Sequence, residues 1–237
     1  MVNSIPKEWI QVINRDRGLA QHKHISEQHF LYLTRQLKLE RMTAKQFYII
    51  LISRIQEKPR SEKTIQNTLG GCELNWSKIY GLSREVTVDT YARMFSFKLN
   101  HNILYLNKIL FRMGKHETKW CSFCNINEET IIHFFAECHI SRKLWKNLQT
   151  HYQNKIILPD ITPQSAYVGF YEITEQCAII NHILLIFKIA LYHSRTKRSC
   201  NIQYILKQIS HVKNIEHEIT FLDERKKEFN RRKWVDI

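Results

Sequence analysis

The chain has 237 residues, of which 43% are hydrophobic, and 36 basic against 22 acidic residues give it a formal net charge of +14. That hydrophobic content is enough to bury a core, which excludes wholesale disorder, and six cysteines in a chain of this length are too few for a disulfide scaffold. A chain this positive attracts polyanions, of which nucleic acid is the commonest.

No membrane segment is expected. The longest apolar stretch, residues 178–192, is interrupted by Asn181, His182 and Lys188, and it is shorter than the ~20 residues that a span requires. Residues 1–30 are polar and lack the apolar region of a signal peptide. We therefore expect a soluble protein of the cytoplasm and/or nucleus, where thiols stay reduced and free to bind metal.

Residues 1–71 predict an N-terminal helical segment. Pro6 suits the first turn of a short helix, and hydrophobic residues at helical spacing predict a helix or a buried element over 43–55. A further short helix is expected with Ser61 as its cap. The Gly70-Gly71 pair then interrupts the helical pattern and marks the first predicted boundary.

Residues 72–158 carry two apolar stripes at helical spacing, and these predict two amphipathic helices. The stripes are Val88, Tyr91, Phe95 and Leu99, and then Ile140, Leu144, Leu148 and Tyr152. Between them, a helix over 107–113 is expected to end at a left-handed Gly114, and Asn125 or Asn127 is expected to start the next helix.

Residues 159–237 form the third predicted segment, which begins at the prolines Pro159 and Pro163. Helices are expected over 177–195 and 202–229, followed by a basic tail. The predicted fold class is therefore mainly α, with helical segments around a small zinc-stabilised module.

The module is indicated by Cys121, Cys124, His133 and Cys138, which supply three thiols and one imidazole within eighteen positions. A tight turn across Cys-x2-Cys brings two sulfurs to one side, and four such ligands complete a tetrahedral Zn²⁺ site. With no open coordination position the ion would serve folding and would not activate water.

The spacing of the last two ligands predicts a break in the chain. Five helical steps separate His133 from Cys138 and rotate the chain by about 500°, which leaves the two side chains about 140° apart. They cannot face one metal from a straight helix. We therefore expect the helix that carries His133 to end or bend just before Cys138, and a new helix to begin after it.

Other interpretations of these residues remain open at this point. The cysteines could be buried as small hydrophobic residues, or Cys121 and Cys124 could form a redox pair, although no thioredoxin-like strand–helix pattern precedes them. His139 is an alternative ligand beside Cys138. The other three cysteines are too scattered for a second site and are interpreted as buried free thiols: Cys72, Cys177 and Cys200.

The residues around the motif point to a family. The run FSFKLNHNILYLNKIL at 95–110, the run EETIIHFFAEC at 128–138 and the pair Leu144-Trp145 closely resemble the zinc-binding region that follows the polymerase in non-LTR (LINE-type) retrotransposon reverse transcriptases. The specific resemblance spans residues 76–150. It implies that the four Cys and His residues are metal ligands and that the chain holds element RNA or target DNA during target-primed reverse transcription.

The resemblance is limited to that region. The chain contains no Asp-Asp pair, so the paired catalytic carboxylates of the polymerase are missing, and nothing in it resembles the endonuclease domain. We therefore expect a C-terminal fragment of such a protein that is not an enzyme and has no small-molecule substrate.

Five cations are the candidate phosphate contacts, because Lys and Arg bind phosphate with little sequence preference. They are Lys119, Arg142, Arg195, Lys197 and Arg198. Lys115, Lys119 and Arg142 are also expected to offset the −1 charge of a zinc ion with three thiolates. Four aromatic residues are candidates for stacking on unpaired bases: Trp120, Phe123, Tyr192 and Trp234. Two alternatives remain, a zinc-stabilised protein-interaction module and a non-functional retroelement remnant.

Overall fold

A computed structural model describes residues 45, 58–172, 176–222 and 233–234 of the protein. The chain divides after residue 57, and the description concerns the second unit, Lys58–Ile237. The predicted helix at Pro6, the helix or buried element over 43–55 apart from Lys45, and the tail before Lys233 lie outside the described residues.

Eight α-helices occur in the described part of the chain, in which no strand is present, so the mainly helical prediction is confirmed. They are α1 Arg60–Thr68, α2 Trp76–Val86, α3 Thr90–Asn100, α4 Asn107–Arg112, α5 His139–Tyr152, α6 Pro163–Val168, α7 Cys177–Ser194 and α8 Ile202–Leu222. A π-helical turn at His133–Glu137 precedes α5, and a 3₁₀ turn at Arg195–Lys197 follows α7.

Polar caps set several helix starts. The Asp89 carboxylate accepts a hydrogen bond from the Tyr91 amide at 2.9 Å, so α3 begins at Thr90 and Val88 lies before it. Pro59 and not Ser61 precedes α1, which has no side-chain cap, so that cap prediction is wrong. Gly114 follows α4 with φ of 67°, which confirms the left-handed position expected there.

Helix α7 lies at the centre of the unit and contacts α2, α3 and α8. Among the described residues, the segment Cys177–Lys197 is long and apolar enough to cross a membrane by length and composition alone, yet 72% of its apolar 18-residue stretch is buried within the fold. A helix that is apolar on most sides is typical of a protein core as well as of a membrane span.

One hydrophobic core extends from Ile65 on α1 to Ile209 on α8. Leu158 and Ala166, on either side of the predicted boundary at 158/159, are both buried in it. The described parts of the three predicted segments thus share a core, and their division at 71/72 and 158/159 stays a prediction.

Lys188 is a charged residue inside this core. Its side chain on α7 is 3% exposed and donates a hydrogen bond to the Ser165 carbonyl oxygen at 2.7 Å. Burial disfavours the ammonium form and lowers the pKa of Lys188 to about 7.

This burial predicts that stability rises with pH. Between pH 7 and the ordinary lysine pKa of 10.5, the unfolded chain binds more protons at Lys188 than the folded chain, so the free energy of unfolding increases with pH. From pH 7 to pH 9 the gain from this residue should be about 2 kcal/mol. Urea denaturation of Lys188→Met at both pH values should lack that increment, whereas a variant with an unchanged pH slope would contradict it.

Candidate metal centre

A tight turn brings the first two cysteines together. The Asn125 amide donates to the Cys121 carbonyl oxygen at 2.9 Å, and the Cys121 amide donates to the Asn127 carbonyl oxygen at 2.8 Å. The Ile126 amide lies 3.5 Å from the Cys124 sulfur. Asn125 has φ of 53°, which an asparagine tolerates, so the chain reverses directly after the second cysteine. We call residues 121–127 the knuckle.

The helical turn that carries His133 begins after Thr130, whose hydroxyl oxygen accepts a hydrogen bond from the His133 amide at 3.0 Å. The expected start at Asn125 or Asn127 is therefore wrong. The backbones of Asn125 and Asn127 form hydrogen bonds within the knuckle. Thr130, three residues after Asn127, caps the helical turn instead.

The predicted break before Cys138 is confirmed. Residues His133–Glu137 form a π-helical turn in which the Cys138 amide donates to the His133 carbonyl oxygen at 2.6 Å, five residues back. Cys138 itself is extended, with φ of −57° and ψ of 124°, and α5 begins at His139. The wide turn and the extended residue allow both side chains to face one point, which a regular helix prevents.

The four side chains converge. The three sulfurs and the imidazole nitrogen all lie within 4.8 Å of one another. The Cys121 and Cys138 sulfurs are 3.9 Å apart, and the Cys124 sulfur is 3.3 Å from His133 Nε2. A tetrahedral zinc ion would place two sulfurs about 3.8 Å apart and a sulfur and nitrogen about 3.6 Å apart, given its usual bond lengths. The group fits zinc in donor chemistry and in size.

Thiol–thiol contact and burial shift the pKa values of two of the candidate ligands. Cys121 and Cys138 are each 1% exposed, and Cys121 donates a hydrogen bond to Cys138. That bond lowers the pKa of Cys138, and the same bond, with burial, raises the pKa of Cys121. The bond therefore favours the thiolate form at Cys138 over that at Cys121.

The alternative ligands lie outside this group. His139 is exposed on the first turn of α5. All six cysteines are free, so the two cysteines of the knuckle are not joined in a disulfide. Cys72, Cys177 and Cys200 are only partly buried, which corrects their interpretation as buried thiols.

A buried carboxylate that the sequence pattern does not reveal supports the knuckle from behind. Glu129 is fully buried, and its Oε2 accepts a hydrogen bond from the Ser122 amide at 2.5 Å. Its Oε1 accepts from the Asn107 amide at 3.0 Å and pairs with Arg195 Nη2 at 2.7 Å. Glu129 therefore connects the knuckle, the start of α4 and the end of α7.

Asn107 completes this network. Its Nδ2 donates to the Trp120 carbonyl oxygen at 2.8 Å and to the Ser122 hydroxyl at 3.1 Å, while its Oδ1 accepts from Arg195 at 2.6 Å. Asn107 and Glu129 lie among polar residues in the sequence, so no local pattern predicts that they are buried. Only the fold reveals their role.

The same network takes up Arg195, one of the predicted phosphate contacts. Its side chain is only 11% exposed, and it also donates to the Tyr105 carbonyl oxygen at 2.8 Å. The geometry assigns its charge to Glu129 inside the fold. By contrast, Lys197 and Arg198 directly beyond it are exposed.

Lys119 is likewise paired. It lies 2.7 Å from Glu128, which also contacts Lys108 at 2.8 Å. The ammonium groups of Lys108, which has the larger effect, and Lys119 lower the pKa of Glu128 to about 2. The charge of Lys119 is therefore directed to this partly exposed carboxylate, and the expected compensation of the zinc charge by Lys119 stays a prediction.

Arg142 is exposed on α5 and belongs to a larger basic group. Four side chains at helical spacing share one face of that helix and line a groove of about 590 Å³: His139, Arg142, Lys143 and Lys146. Asp160 also lines the groove and accepts a hydrogen bond from Gln149 at 3.0 Å. We call Arg142, Lys143 and Lys146 the α5 cations. The sequence pattern had pointed only to the first of them.

Trp234 is buried, and this corrects its assignment as a stacking residue. It is 7% exposed, and its indole nitrogen donates to Glu216 on α8 at 2.8 Å. Lys233 lies 2.5 Å from the same carboxylate. This part of the basic tail is packed against α7 and α8, with the Trp234 ring 5.3 Å from that of His182.

Comparison with known families agrees with the site. The family described as zinc-binding in reverse transcriptase matches residues 72–145, a segment that contains all four candidate ligands. This match supports a reverse transcriptase zinc-binding region in less than a third of the chain. Comparisons with curated proteins and with solved structures give no significant match.

Proposed function

We propose that this protein is a zinc-stabilised nucleic-acid-binding fragment of a non-LTR (LINE-type) retrotransposon reverse transcriptase, without polymerase or endonuclease activity. The observation that carries the proposal is the convergence of Cys121, Cys124, His133 and Cys138 inside the segment that matches the reverse transcriptase zinc-binding family. Element RNA or target DNA is the proposed partner, in the cytoplasm and/or nucleus.

Zinc would be held by those four side chains and would supply a fixed crosslink among three backbone segments. Three thiolates and an imidazole complete its coordination, so we assign it no catalytic step. The crosslink would join the knuckle to the π-helical turn and to the residue that precedes α5.

The position of Cys138 couples the metal to the proposed binding surface. Cys138 directly precedes α5, and its carbonyl oxygen accepts the first hydrogen bond of that helix, from the Arg142 amide at 2.9 Å. The metal would therefore hold in place the end of α5 that carries the α5 cations. Exposed cations on one helix face are suited to contact successive phosphates.

Neutralising the α5 cations tests the proposal. The triple variant Arg142→Gln, Lys143→Gln and Lys146→Gln is expected to weaken binding of single-stranded RNA, because fewer phosphates are neutralised and fewer counterions are released. The slope of log affinity against log salt should fall by about 0.7 for each single-strand phosphate that the variant no longer neutralises. Fluorescence anisotropy at several salt concentrations measures both quantities.

A matched control removes the same charge elsewhere. Lys63, Lys78 and Arg84 are exposed on α1 and α2, so their replacement by glutamine changes net charge equally. The control variant should keep most of the affinity and the salt slope. Equally weakened binding in both triple variants would show a non-specific charge effect and would contradict the proposed surface.

A protein-interaction module is the second candidate, favoured by an apolar face on α3. Tyr91, Met94 and Phe97 follow each other at three-residue spacing and are 48%, 54% and 48% exposed. Exposed apolar patches often mark protein contacts. Binding to RNA that is weak and indifferent to salt would favour this function over the first.

A further inference from the structure

We propose that the cleft between the knuckle and the end of α7 binds unpaired bases, so that the protein prefers single-stranded over duplex nucleic acid. This inference rests on the proposed function and adds to it a site and a substrate class. The cleft has a volume of about 910 Å³, which is within the range of pockets that hold small ligands such as a nucleotide.

Aromatic rings from two separate elements line the cleft. Phe123 belongs to the knuckle, Trp120 directly precedes it, and Tyr192 comes from the last turn of α7. Trp120 is 41% exposed, which leaves ring surface free to stack on a base. Three of the four aromatic residues chosen from the sequence therefore meet at one place.

The charges around the cleft suit a polyanion. Arg198 is an exposed cation in its wall. The Arg195 guanidinium, whose charge is paired with Glu129, lies 5.1 Å from the centre of the Tyr192 ring. No carboxylate is among the described residues that line it, because Glu129 is buried behind Arg195. A phosphate beside a stacked base would meet no acidic side chain from those residues.

The walls are held in place by the fold. Phe123 packs against the buried Phe134 with ring centres 5.1 Å apart, and the Trp120 backbone accepts the hydrogen bond from Asn107. The ligand residue Cys121 is itself part of the wall. Stacking platforms that are fixed before binding lose little conformational freedom when a base arrives.

A single-stranded ligand follows from this chemistry. In a duplex the base faces are covered by neighbouring pairs, so aromatic side chains stack only on bases that are splayed out. Cations on a helix face contact the phosphates of single and double strands alike. The cations attract single-stranded and duplex nucleic acid alike, and the cleft would add affinity for unpaired bases alone.

The experiment compares two RNA strands that carry the same phosphates. One is an oligouridylate of about 12 nucleotides, a length within the site sizes of single-strand binding proteins. The other has its central nucleotides replaced by abasic ones. Wild-type protein should bind the first about 5- to 100-fold more tightly, the range expected for one stacked base. Trp120→Ala should bind both strands alike, and Trp120→Phe should retain part of the preference.

Ile126→Ala is the matched control, because Ile126 is 66% exposed on the same knuckle but does not line the cleft. It should behave as wild type. Salt-dependent but equal binding of both strands by wild type would overturn the cleft while leaving the proposed function intact. Absence of salt-dependent binding to either strand would overturn both. Zinc content and circular dichroism show that each variant is folded, and an unchanged preference in folded Trp120→Ala would also overturn the assignment.

Discussion

Purified protein is expected to contain about one zinc ion per chain, and Cys124→Ser is expected to lose most of it. The physical reason is that one missing thiolate leaves three ligands for an ion whose structural sites have four. Structural zinc contributes ~10–16 kcal/mol of apparent folding free energy in small peptides at pH 7. Here a helical core supports the fold as well, so we expect a large fall in melting temperature, with part of the helix content retained.

Metal analysis together with thermal denaturation, with and without a chelator, measures both effects. Cys200→Ser is the control, because Cys200 is a partly exposed free thiol outside the ligand group. It should keep its zinc and its melting temperature. Wild-type protein that carries no zinc after growth in zinc-supplemented medium would refute the metal centre.

Replacing Glu129 is expected to be the most damaging change outside the ligands. Glu129→Gln leaves Arg195 buried without its charge partner, and breaking a buried ion pair in this way costs about 3–5 kcal/mol. The Ser122 amide in the knuckle also loses its carboxylate acceptor. Groups that orient a metal site in this way typically change metal affinity by about 10- to 100-fold when they are replaced.

Glu128→Gln is the closest control that the chain offers. Glu128 is the neighbouring residue, but its ion pairs with Lys108 and Lys119 are exposed to solvent. Its replacement should change stability little. Urea denaturation and zinc competition with a chelator compare the two variants, and a double-mutant cycle with Arg195→Met isolates the pair. Equal effects of Glu128→Gln and Glu129→Gln would contradict the assignment.

The sequence predicts the metal group well because its chemistry is encoded in residue type and spacing. Three thiols, one imidazole and the five-step separation of His133 from Cys138 predict the group of four side chains that converges and the break before α5. Helices with clear apolar stripes, such as α5 and α7, were also predicted close to their observed bounds.

Burial of polar groups was not predictable in the same way. Glu128 and Glu129 are chemically identical neighbours, yet the side chain of Glu128 is 34% exposed and Glu129 is fully buried. The difference arises because Arg195, 66 positions after Glu129 at the end of α7, pairs with Glu129. The burial of Trp234 and of Lys188 is equally hidden from the sequence, because their hydrogen-bond partners lie on other helices. Long-range pairing of this kind leaves no local pattern.

The π-helical turn determines the rotational phase of α5. Removing one residue between His133 and Cys138 would allow the turn and α5 to join in one regular helix, in which each residue advances the chain by about 100°. The residues of α5 would then take a different rotational position about the helix axis. Such a deletion would place the two ligands four positions apart, a spacing that a regular helix tolerates, and metal binding alone would not oppose it. It would, however, turn Leu144 and Leu148 out of the core and bring the α5 cations toward it. The extra residue in the turn therefore determines which side of α5 faces the solvent and which side faces the core.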